Sequence, residues 1–505
     1  MASDYIATQD RERCPHCQRD FTSRGISRHR CRSADTATNV TATSPDETEV
    51  HDRIEEAPIN IRWGNMTGLD EVQTDIQQAY NEITTWHKNT FELPRGKAGR
   101  DFITEATRLI QLFNNKTQWE PLAIHCLNIF MPIMLQKPSA KSKNKDHTKY
   151  LVKRLALWKE GKLKMLMSEC REIQKRLKSA SQKQEEIIRG FTRLMMQGKV
   201  RQALKLIDSE NDISGIHTLN AEIRQTLEAK HPTPEPIREV ALAQDEITPV
   251  EDVIFEDIDF ERVQRAAKNT SGSGGPTKID ADTWRHILCS KAYKIQSEGL
   301  AAEIASLARR LCTEDIQHDY ISSLLSCRLV PLMKEDNGVR PVGVGETLRR
   351  IIGKCVTQLL KQDIQVSGGT LQMCTGVEAG IEAAIHAMQK SFNEDWCEAI
   401  LLVDADNAFN RLNRKVALHN ILRTCSPLFR YLNNSYNTPA KLYLGDGSFL
   451  LSEEGVTQGD NLAMAMYALS TRPLINSLKE TRGMDENFKQ VWYADDSTGA
   501  GKLEN

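Results

Sequence analysis

Apolar residues recur at helical spacing through the region from residue 61 to about residue 230. Leu151, Leu155 and Trp158 follow one another at intervals of three or four positions, which places them on one face of a helix. Breaks that contain proline separate such stretches, and they fall at Pro94-Arg95-Gly96 and Pro138-Ser139. This part of the chain is therefore predicted to be a set of amphipathic helices that pack through their apolar faces.

The most apolar stretch, residues 121–135, is predicted to be a buried helix and not a membrane span. It is too short to cross a bilayer, which takes about 20 apolar residues, and His125 and Asn128 interrupt it. The chain also has 12 cysteines at irregular spacing and no leader-like segment at its start, which favours a reducing compartment. We therefore expect an intracellular protein with no membrane role.

In the C-terminal half the apolar runs become shorter, and two of them lead into carboxylates. Leu401-Leu402-Val403 runs into Asp404, and Val491-Trp492-Tyr493-Ala494 runs into Asp495-Asp496. Short runs of this kind predict strands, and a tight turn after the second run would tip both adjacent aspartates into one site. Carboxylates held so close together repel each other unless a cation lies between them. Mg²⁺ is a suitable cation because it prefers hard oxygen ligands. The two runs therefore predict a site for a divalent metal ion.

Three segments of this half resemble, in order, the signature motifs of reverse transcriptases. They are Asp404 with Ala408-Phe409, then Gln458-Gly459-Asp460, then Tyr493-Ala494-Asp495-Asp496. The family's corresponding motifs are Asp-x-x-x-Ala-Phe/Tyr, Gln-Gly-Asp/Ser-Pro and Tyr-x-Asp-Asp, and Asn461 stands where proline is usual. The sequence around these motifs, together with the glycine-rich segment 271–276, is similar to the LINE-type branch of the family, which non-LTR retrotransposons encode. The resemblance covers residues 250–505.

This resemblance implies an RNA-directed DNA polymerase of the α+β class with a right-hand fold. A helical N-terminal region would precede fingers and a palm, and the palm would contain an antiparallel sheet. The partners would be an RNA template, a DNA primer or target, and deoxynucleoside triphosphates. Proteins of this branch act as ribonucleoproteins in the nucleus or the cytoplasm.

The same resemblance assigns the metal ligands. Asp404 and Asp495, supported by Asp496, would hold two Mg²⁺ ions, or Mn²⁺. Two such metals about 3.5–4 Å apart would activate the primer 3′-oxygen and neutralise charge on the leaving pyrophosphate. Asp406 lies two positions after Asp404 and would share its face of the strand, so on geometry alone it is a rival ligand. The family's spacing favours Asp404.

A nucleotide pocket also follows from the resemblance. Lys334 and Arg340 flank a predicted hairpin turn and would hold the triphosphate, the arginine through paired hydrogen bonds and the lysine as a point charge. Phe409 would crowd the 2′-hydroxyl of an incoming sugar, and Gln458 and Gly459 would line the pocket. The structural alternatives are a core aromatic at Phe409 and a helix-entry turn at Gln458 and Gly459.

A separate metal signal lies at the N-terminus. Cys14 and Cys17 form a Cys-x-x-Cys pair, and His29 and Cys31 follow within a short basic stretch. Four such ligands suit tetrahedral Zn²⁺, and the segment resembles a single zinc finger of the Cys-Cys-His-Cys type. The spacing of His29 and Cys31 is unusually short, and His16 is an alternative ligand. A disordered tail is the other interpretation.

The net charge of −2 is an average over unlike segments. Residues 137–205 contain 20 Lys and Arg against 6 Asp and Glu, whereas residues 208–261 have an excess of acidic side chains. A basic block of this kind releases counterions from phosphates and binds RNA or DNA in a salt-dependent way. The alternative is a solvated helix surface.

Five segments result from these patterns. They are a zinc-finger-like segment (1–32), a disordered linker (33–60), a basic helical region for nucleic-acid binding (61–230), a proline-rich acidic linker (231–249) and an incomplete reverse transcriptase fingers and palm (250–505). Only nine residues follow Asp496. The second strand of the last hairpin, the thumb and an endonuclease are therefore expected to be missing, as in a C-terminally truncated element.

Two classes of function follow from the sequence. The first is RNA-directed DNA polymerase, a nucleotidyltransferase. The second is a catalytically idle remnant of a mobile element that binds nucleic acid through the zinc finger and the basic helices. Primer extension on an RNA template separates them.

Overall fold

A computed structural model describes residues 11–13, 20–22, 69–139, 141–179, 191–196, 198, 215–482 and 488–503 of the chain. The chain divides into two compact units, Met1–Ile59 and Asn60–Asn505. In the first unit, strands β1 (Arg11–Arg13) and β2 (Asp20–Thr22) pair in antiparallel fashion. The predicted zinc ligands lie outside the described residues, and they are Cys14, Cys17, His29 and Cys31, with His16 as the alternative.

Five helices open the second unit. They are α1 (Leu69–Thr84), α2 (Lys97–Asn114), α3 (Glu120–Leu135), α4 (Asn144–Lys159) and α5 (Leu163–Ser179). The gaps between helices include both predicted proline-containing breaks, so that part of the prediction is confirmed. The apolar faces of these helices meet as predicted, since Phe102, Phe130 and Trp158 are all buried and their rings pack together.

Helix α3 is buried on all sides, as its composition predicts. Its two polar residues are satisfied by the helix α10 (His318–Leu325): His125 Nε2 lies 2.6 Å from the carbonyl oxygen of Asp319, and Asn128 Nδ2 donates to Ser323 Oγ at 2.9 Å. Among the residues that the structure describes, no helix is long and apolar enough to cross a membrane.

Helices α7 (Phe260–Asn269), α8 (Ala281–Cys289) and α9 (Lys294–Thr313) join the same hydrophobic core. Helix α6 (Ala221–Ala229) instead buries Leu227 in a second cluster with Leu329 and Leu442. Helix α9 packs against α2, and Ile304 of α9 belongs to one buried cluster with Phe102. The predicted boundary at residue 250 therefore does not divide the core.

The proline-rich segment 231–249 lies along helix α15 (Arg414–Thr424) and is anchored there by side chains. Asn420 Nδ2 donates to the carbonyl oxygen of Ala241 at 2.9 Å, and Arg423 Nη1 donates to that of Asp245 at 2.8 Å. Its composition suggests a free linker, but these side chains supply the hydrogen bonds that an extended backbone cannot make within itself.

A four-stranded mixed sheet carries the first predicted hairpin. Its strands are β3 (Cys327–Met333), β4 (Val339–Gly345), β6 (Ala440–Tyr443) and β7 (Phe449–Ser452), in the order β4-β3-β6-β7 with β3 and β6 parallel. Asn337, in the β3–β4 turn, has a φ of 59°, and the Asp336 side chain accepts from the Gly338 N–H at 2.9 Å. The predicted hairpin is confirmed, and helix α11 (Thr347–Leu359) follows it.

A three-stranded antiparallel sheet carries the predicted acidic strands. Its strands are β5 (Ala399–Val403), β8 (Lys489–Tyr493) and β9 (Asp496–Gly501), in the order β5-β9-β8. The predicted strands before Asp404 and Asp495, and the tight turn at the paired aspartates, are confirmed. The expectation that no second hairpin strand forms after Asp496 is wrong, because a two-residue turn lets β9 begin at Asp496 itself.

Helix α13 (Gly380–Phe392) covers one face of this sheet, where Met388 packs with Val491 and Ala500. Further helices complete the second unit. They are α12 (Lys361–Gly368), α14 (Ala408–Arg411), α16 (Ser426–Tyr436), α17 (Ala463–Ser470) and α18 (Arg472–Arg482). The described chain is thus of the α+β class, as predicted.

Candidate active site

A cleft of about 510 Å³ lies between the β3–β4 hairpin and the three-stranded sheet. All eight residues that the sequence assigns to catalysis and nucleotide binding line it, although they come from distant parts of the chain. They are Lys334, Arg340, Asp404, Phe409, Gln458, Gly459, Asp495 and Asp496. We call it the acidic cleft, because Asp406 and Asp460 line it as well.

The buried side chain of Gln372 fixes the backbone of the turn that carries Asp495. Tyr493 pairs with Asp496, so Ala494 and Asp495 form the two-residue turn, with Ala494 at a φ of 54°. Gln372 is fully buried; its Oε1 accepts from the Ala494 N–H at 2.8 Å, and its Nε2 donates to the Ala494 carbonyl oxygen at 3.2 Å. Gln372 is a positioning residue that the motifs do not reveal, since it lies 122 positions before Ala494.

Asp404 reaches the cleft from the end of the neighbouring strand. The last pair of the β5–β9 ladder joins Val403 to Ser497. Asp404 directly follows Val403 and Asp496 directly precedes Ser497, so both lie at the same end of the sheet. The three predicted metal ligands therefore come from adjacent strands at one end of the sheet.

Asp406 is not a geometric equivalent of Asp404. Strand β5 ends at Val403, so the alternation of faces on which the rivalry rests does not extend to Asp406. Its carboxylate instead lies 3.5 Å from Nη1 of Arg411, and its side chain is 80% exposed.

Electrostatics link Asp404 with the paired aspartates. Burial raises the pKa of Asp495 above its usual range; the Asp496 and Asp404 carboxylates raise it further, and Arg340 opposes them. Within the described parts of the chain, however, no group of three or more His, Cys, Asp or Glu side chains forms a ready metal site. The carboxylates share one cleft and repel each other, but the tight cluster that two bridging metals require is not formed.

Three cations face these carboxylates across the cleft. Lys334 and Arg340 are exposed at the open end of the β3–β4 hairpin. The third, Lys230, follows helix α6, and its carbonyl oxygen accepts from Asn407 Nδ2 at 2.9 Å. Its place in the cleft has no local sequence signal, because it lies at the end of the region predicted to be a separate helical part.

Phe409 lines the cleft and also packs against the core. Its ring stacks on Tyr467 with centroids 5.0 Å apart and an interplanar angle of 30°. The two interpretations of this aromatic residue are therefore compatible, because a packed ring can present its free side to the cleft.

The loop after residue 456 closes the cleft beside the hairpin. The Gly343 N–H donates to the Gln458 carbonyl oxygen at 2.9 Å. Gly459 has a φ of 110°, and an added Cβ would lie 2.8 Å from the Gly343 carbonyl oxygen, so no larger residue fits. Asp460 Oδ2 accepts from Arg349 Nη2 at 2.6 Å and from Tyr436 Oη at 2.8 Å. This ion pair between the buried Arg349 and the partly buried Asp460 ties the loop to helix α11.

Comparison with models of known protein families and with curated proteins gives no match to this chain. The resemblance to reverse transcriptases therefore rests on the three sequence motifs. The cleft that those motifs line together is an independent geometric observation about the same residues.

Proposed function

We propose that this protein is an RNA-directed DNA polymerase of the LINE-type branch, which adds deoxynucleotides to a primer 3′-hydroxyl. The observation that supports this proposal is the meeting of eight residues from four separated stretches of sequence in one cleft. A structural role for any one motif would not require it to face the others. Convergence of distant polar residues on one concave site is typical of a binding or catalytic site.

The donor set of the acidic cleft suits Mg²⁺ or Mn²⁺. Its potential metal ligands among the described residues are carboxylates, without His or Cys, and hard divalent cations prefer oxygen. Burial raises the pKa of Asp495, and the Asp496 and Asp404 carboxylates raise it further through a repulsion that a cation would remove. Asp404 and Asp495 would hold the metals with support from Asp496, and the bound metals would supply activation of the 3′-oxygen and neutralisation of the pyrophosphate.

The other residues of the cleft would bind and orient the nucleotide. Arg340 can pair with two phosphate oxygens at once, whereas Lys334 and Lys230 supply point charges that attract the triphosphate. Phe409, fixed by its stacking on Tyr467, would crowd a 2′-hydroxyl and so favour deoxynucleotides. Much of the rate enhancement in phosphoryl transfer comes from such positioning.

The basic helices α4 and α5 would hold nucleic acid less strongly than their charge suggests. Lys153 and Arg154 both pair with Glu169, and Arg171 makes two hydrogen bonds to Glu82 through Nε and one through Nη2. Each paired cation is partly neutralised before phosphate arrives. We therefore propose that these helices supply only part of the affinity for primer and template.

A second candidate function is nucleic-acid binding without catalysis. It is favoured by one observation, that no group of acidic side chains in the described residues forms a ready metal site. The predicted Zn²⁺ site at Cys14, Cys17, His29 and Cys31 would contribute to either function. Zinc content measured per chain should fall from about one equivalent to near zero in Cys14→Ser.

Primer extension on an RNA template, with Mg²⁺ or Mn²⁺ and deoxynucleotides, tests the proposal. We expect the wild-type chain to extend the primer and Asp404→Asn to lose this activity while still binding primer–template. Asp406→Asn is the matched control and should remain active. Binding without extension by the wild-type chain would overturn the polymerase proposal in favour of the second function.

A further inference from the structure

A second cleft, also of about 510 Å³, lies near the start of strand β3. We call it the basic cleft, because five of the residues that line it carry basic side chains. They are His87, Lys88, His217, Lys278 and Arg328. Among the described residues that line it there is no aspartate or glutamate, whereas five aspartates line the acidic cleft.

Three separate elements carry the lysines and the arginine of the basic cleft, and His217 lies in a fourth segment, before helix α6. His87 and Lys88 follow helix α1, Lys278 follows the glycine-rich segment 271–276, and Arg328 is the second residue of β3. Arg328 Nη2 donates to Ser273 Oγ at 3.1 Å and to the Gly274 carbonyl oxygen at 3.2 Å. Both acceptors are neutral, and the buried Nε of Arg328 has no hydrogen-bond partner within the described residues.

Two carboxylates lie near these cations without lining the cleft. Asp280 pairs with Lys88 and caps helix α8. Glu346 is buried, and its carboxylate accepts from the Thr277 N–H at 2.8 Å and from Thr277 Oγ1 at 2.7 Å. Burial raises the pKa of Glu346 to about 7, so this carboxyl is only partly ionised near neutral pH.

The positive charge of the basic cleft is therefore incompletely neutralised. Burial, together with the nearby Arg328 guanidinium, lowers the pKa of the Lys278 ammonium to about 8. Burial likewise lowers the pKa of Arg328. Both groups still carry their charge near neutral pH, and the cost of holding them close would be relieved by an anion.

We propose that the basic cleft binds the phosphates of a single-stranded nucleic acid. Basic side chains from three elements can contact more than one phosphate, and a concave groove of this kind suits a single strand. Strand β3 runs from Arg328 to its end beside Lys334, a distance of about 20 Å at ~3.3 Å per residue. A strand held in the basic cleft would thus reach the acidic cleft along β3. This inference rests on the proposed function and specifies how the copied strand is held.

Binding of a short, fluorescently labelled single-stranded RNA to the full chain, without Mg²⁺ or nucleotides, tests this inference. The double variant Lys278→Gln/Arg328→Gln should bind at least about tenfold more weakly at low salt. Each lost phosphate contact lowers the slope of log affinity against log salt by about 0.7 for a single strand, so two lost contacts should lower it by about 1.4. The matched control is Lys390→Gln/Lys479→Gln, which removes two exposed lysines of α13 and α18 and should bind as wild type.

A second variant guards against loss of folding. Lys88→Gln/Lys278→Gln leaves the hydrogen bonds of Arg328 in place, and its thermal unfolding is compared with that of the wild-type chain. Wild-type affinity and salt slope in both double variants would overturn the inference. Displacement of the RNA by deoxynucleoside triphosphate as effectively as by unlabelled RNA would also overturn it, in favour of a mononucleotide site.

The two proposals fail in different ways. If the wild-type chain binds RNA through the basic cleft but extends no primer, the polymerase proposal fails and this inference stands. If it extends primers while the variants of the basic cleft keep wild-type affinity and salt slope, the inference fails alone.

Discussion

Asp495 and Asp404 line the same cleft but are held in very different ways. The backbone on the N-terminal side of Asp495 is fixed by Gln372, which is fully buried and bonds both polar backbone groups of Ala494. Asp404 follows strand β5, in which Leu401 is 66% and Leu402 is 75% exposed. One half of the carboxylate pair is therefore preorganised by the core, and the other is held only by the end of an exposed strand.

This difference explains how residues can share a cleft without forming a metal site. A preorganised ligand needs neighbours that lock it in place, and a ligand on an unsupported strand end keeps more freedom. We expect a cation to bind first through the fixed Asp495 turn and to draw Asp404 in, at the entropic cost of ordering it.

The largest effect is expected when either carboxylate is removed. Asp495→Asn and Asp404→Asn should each reduce the rate of primer extension by more than about 100-fold, because loss of a direct ligand exceeds the 10- to 100-fold cost typical of outer-shell changes. Asp406→Asn should stay within a few-fold of the wild-type rate. Single-turnover extension measures all three, and a loss in Asp406→Asn equal to that in Asp404→Asn would show that the family register is wrong.

The second-largest effect is expected at Gln372. Its replacement should loosen the turn that holds Asp495 and leave the support of Asp404 unchanged. Gln372→Met keeps the volume but leaves the Ala494 N–H unpaired, which costs about 1–3 kcal/mol. We expect extension to fall by about 10- to 100-fold. Thermal unfolding and extension rate are the measurements.

Two controls accompany Gln372→Met. Gln244→Met replaces an exposed glutamine far from the cleft, and Leu402→Thr changes the exposed face of β5. Both should unfold within about 0.5 kcal/mol of the wild-type chain, as is usual for surface substitutions. An activity loss in Leu402→Thr as large as that in Gln372→Met would contradict the proposed difference between the two halves.

Metal binding should stabilise the wild-type chain, and this effect is expected to be smaller than the loss of activity in Gln372→Met. At a free Mg²⁺ or Mn²⁺ concentration tenfold above Kd, the free energy of unfolding should rise by about 1.4 kcal/mol. Hydrogen exchange should slow more at the end of β5 than at the Ala494 turn, because only the former is ordered by the cation. Equal stabilisation of Asp495→Asn would place the metal elsewhere.

The smallest effect is a dependence of stability on pH in the absence of metal. The pKa of Asp495 is raised in the folded state by burial and by Asp496 and Asp404, so folding favours its protonated form. Stability from this group is present below its ordinary pKa of 3.8 and is lost as pH rises through the raised value. Asp495→Asn should flatten this decline in denaturant unfolding. If the wild-type chain instead gained stability relative to Asp495→Asn over the same pH interval, this prediction would be wrong.

The β3–β4 hairpin and strand β8 could be predicted because their signals are local. Asp336-Asn337-Gly338 supplies the turn residues of β3–β4, and the apolar run before Ala494 supplies β8. The metal-ligand candidates follow these elements directly. Their shared cleft results from the pairing of β5 with β9, which the sequence does not predict, because the strand after Asp496 is expected to be missing.

The supporting residues could not be predicted, because they act from a distance. Gln372 lies 122 positions before the turn it holds, and Arg349 lies 111 positions before Asp460. Arg349 lies on helix α11, where periodicity alone cannot show that it faces the partly buried carboxylate of Asp460. The docking of segment 231–249 depends on Asn420 and Arg423 in the same way. Side-chain partnerships of this kind are set by tertiary packing and leave no periodic trace.

The core shared by helices α2 and α9 has a consequence for protein engineering. Ile304 of α9 is buried in the same cluster as Phe102 of α2, and Gln111 Nε2 donates to Glu303 Oε1 at 3.0 Å. Elements that share one core melt cooperatively, so the second unit should unfold in a single transition. A shortened protein that begins at residue 250 would present the α9 face to water as an apolar patch and would self-associate. Isolating residues 250–505 therefore requires polar replacements on that face and cannot be achieved by cutting the chain alone.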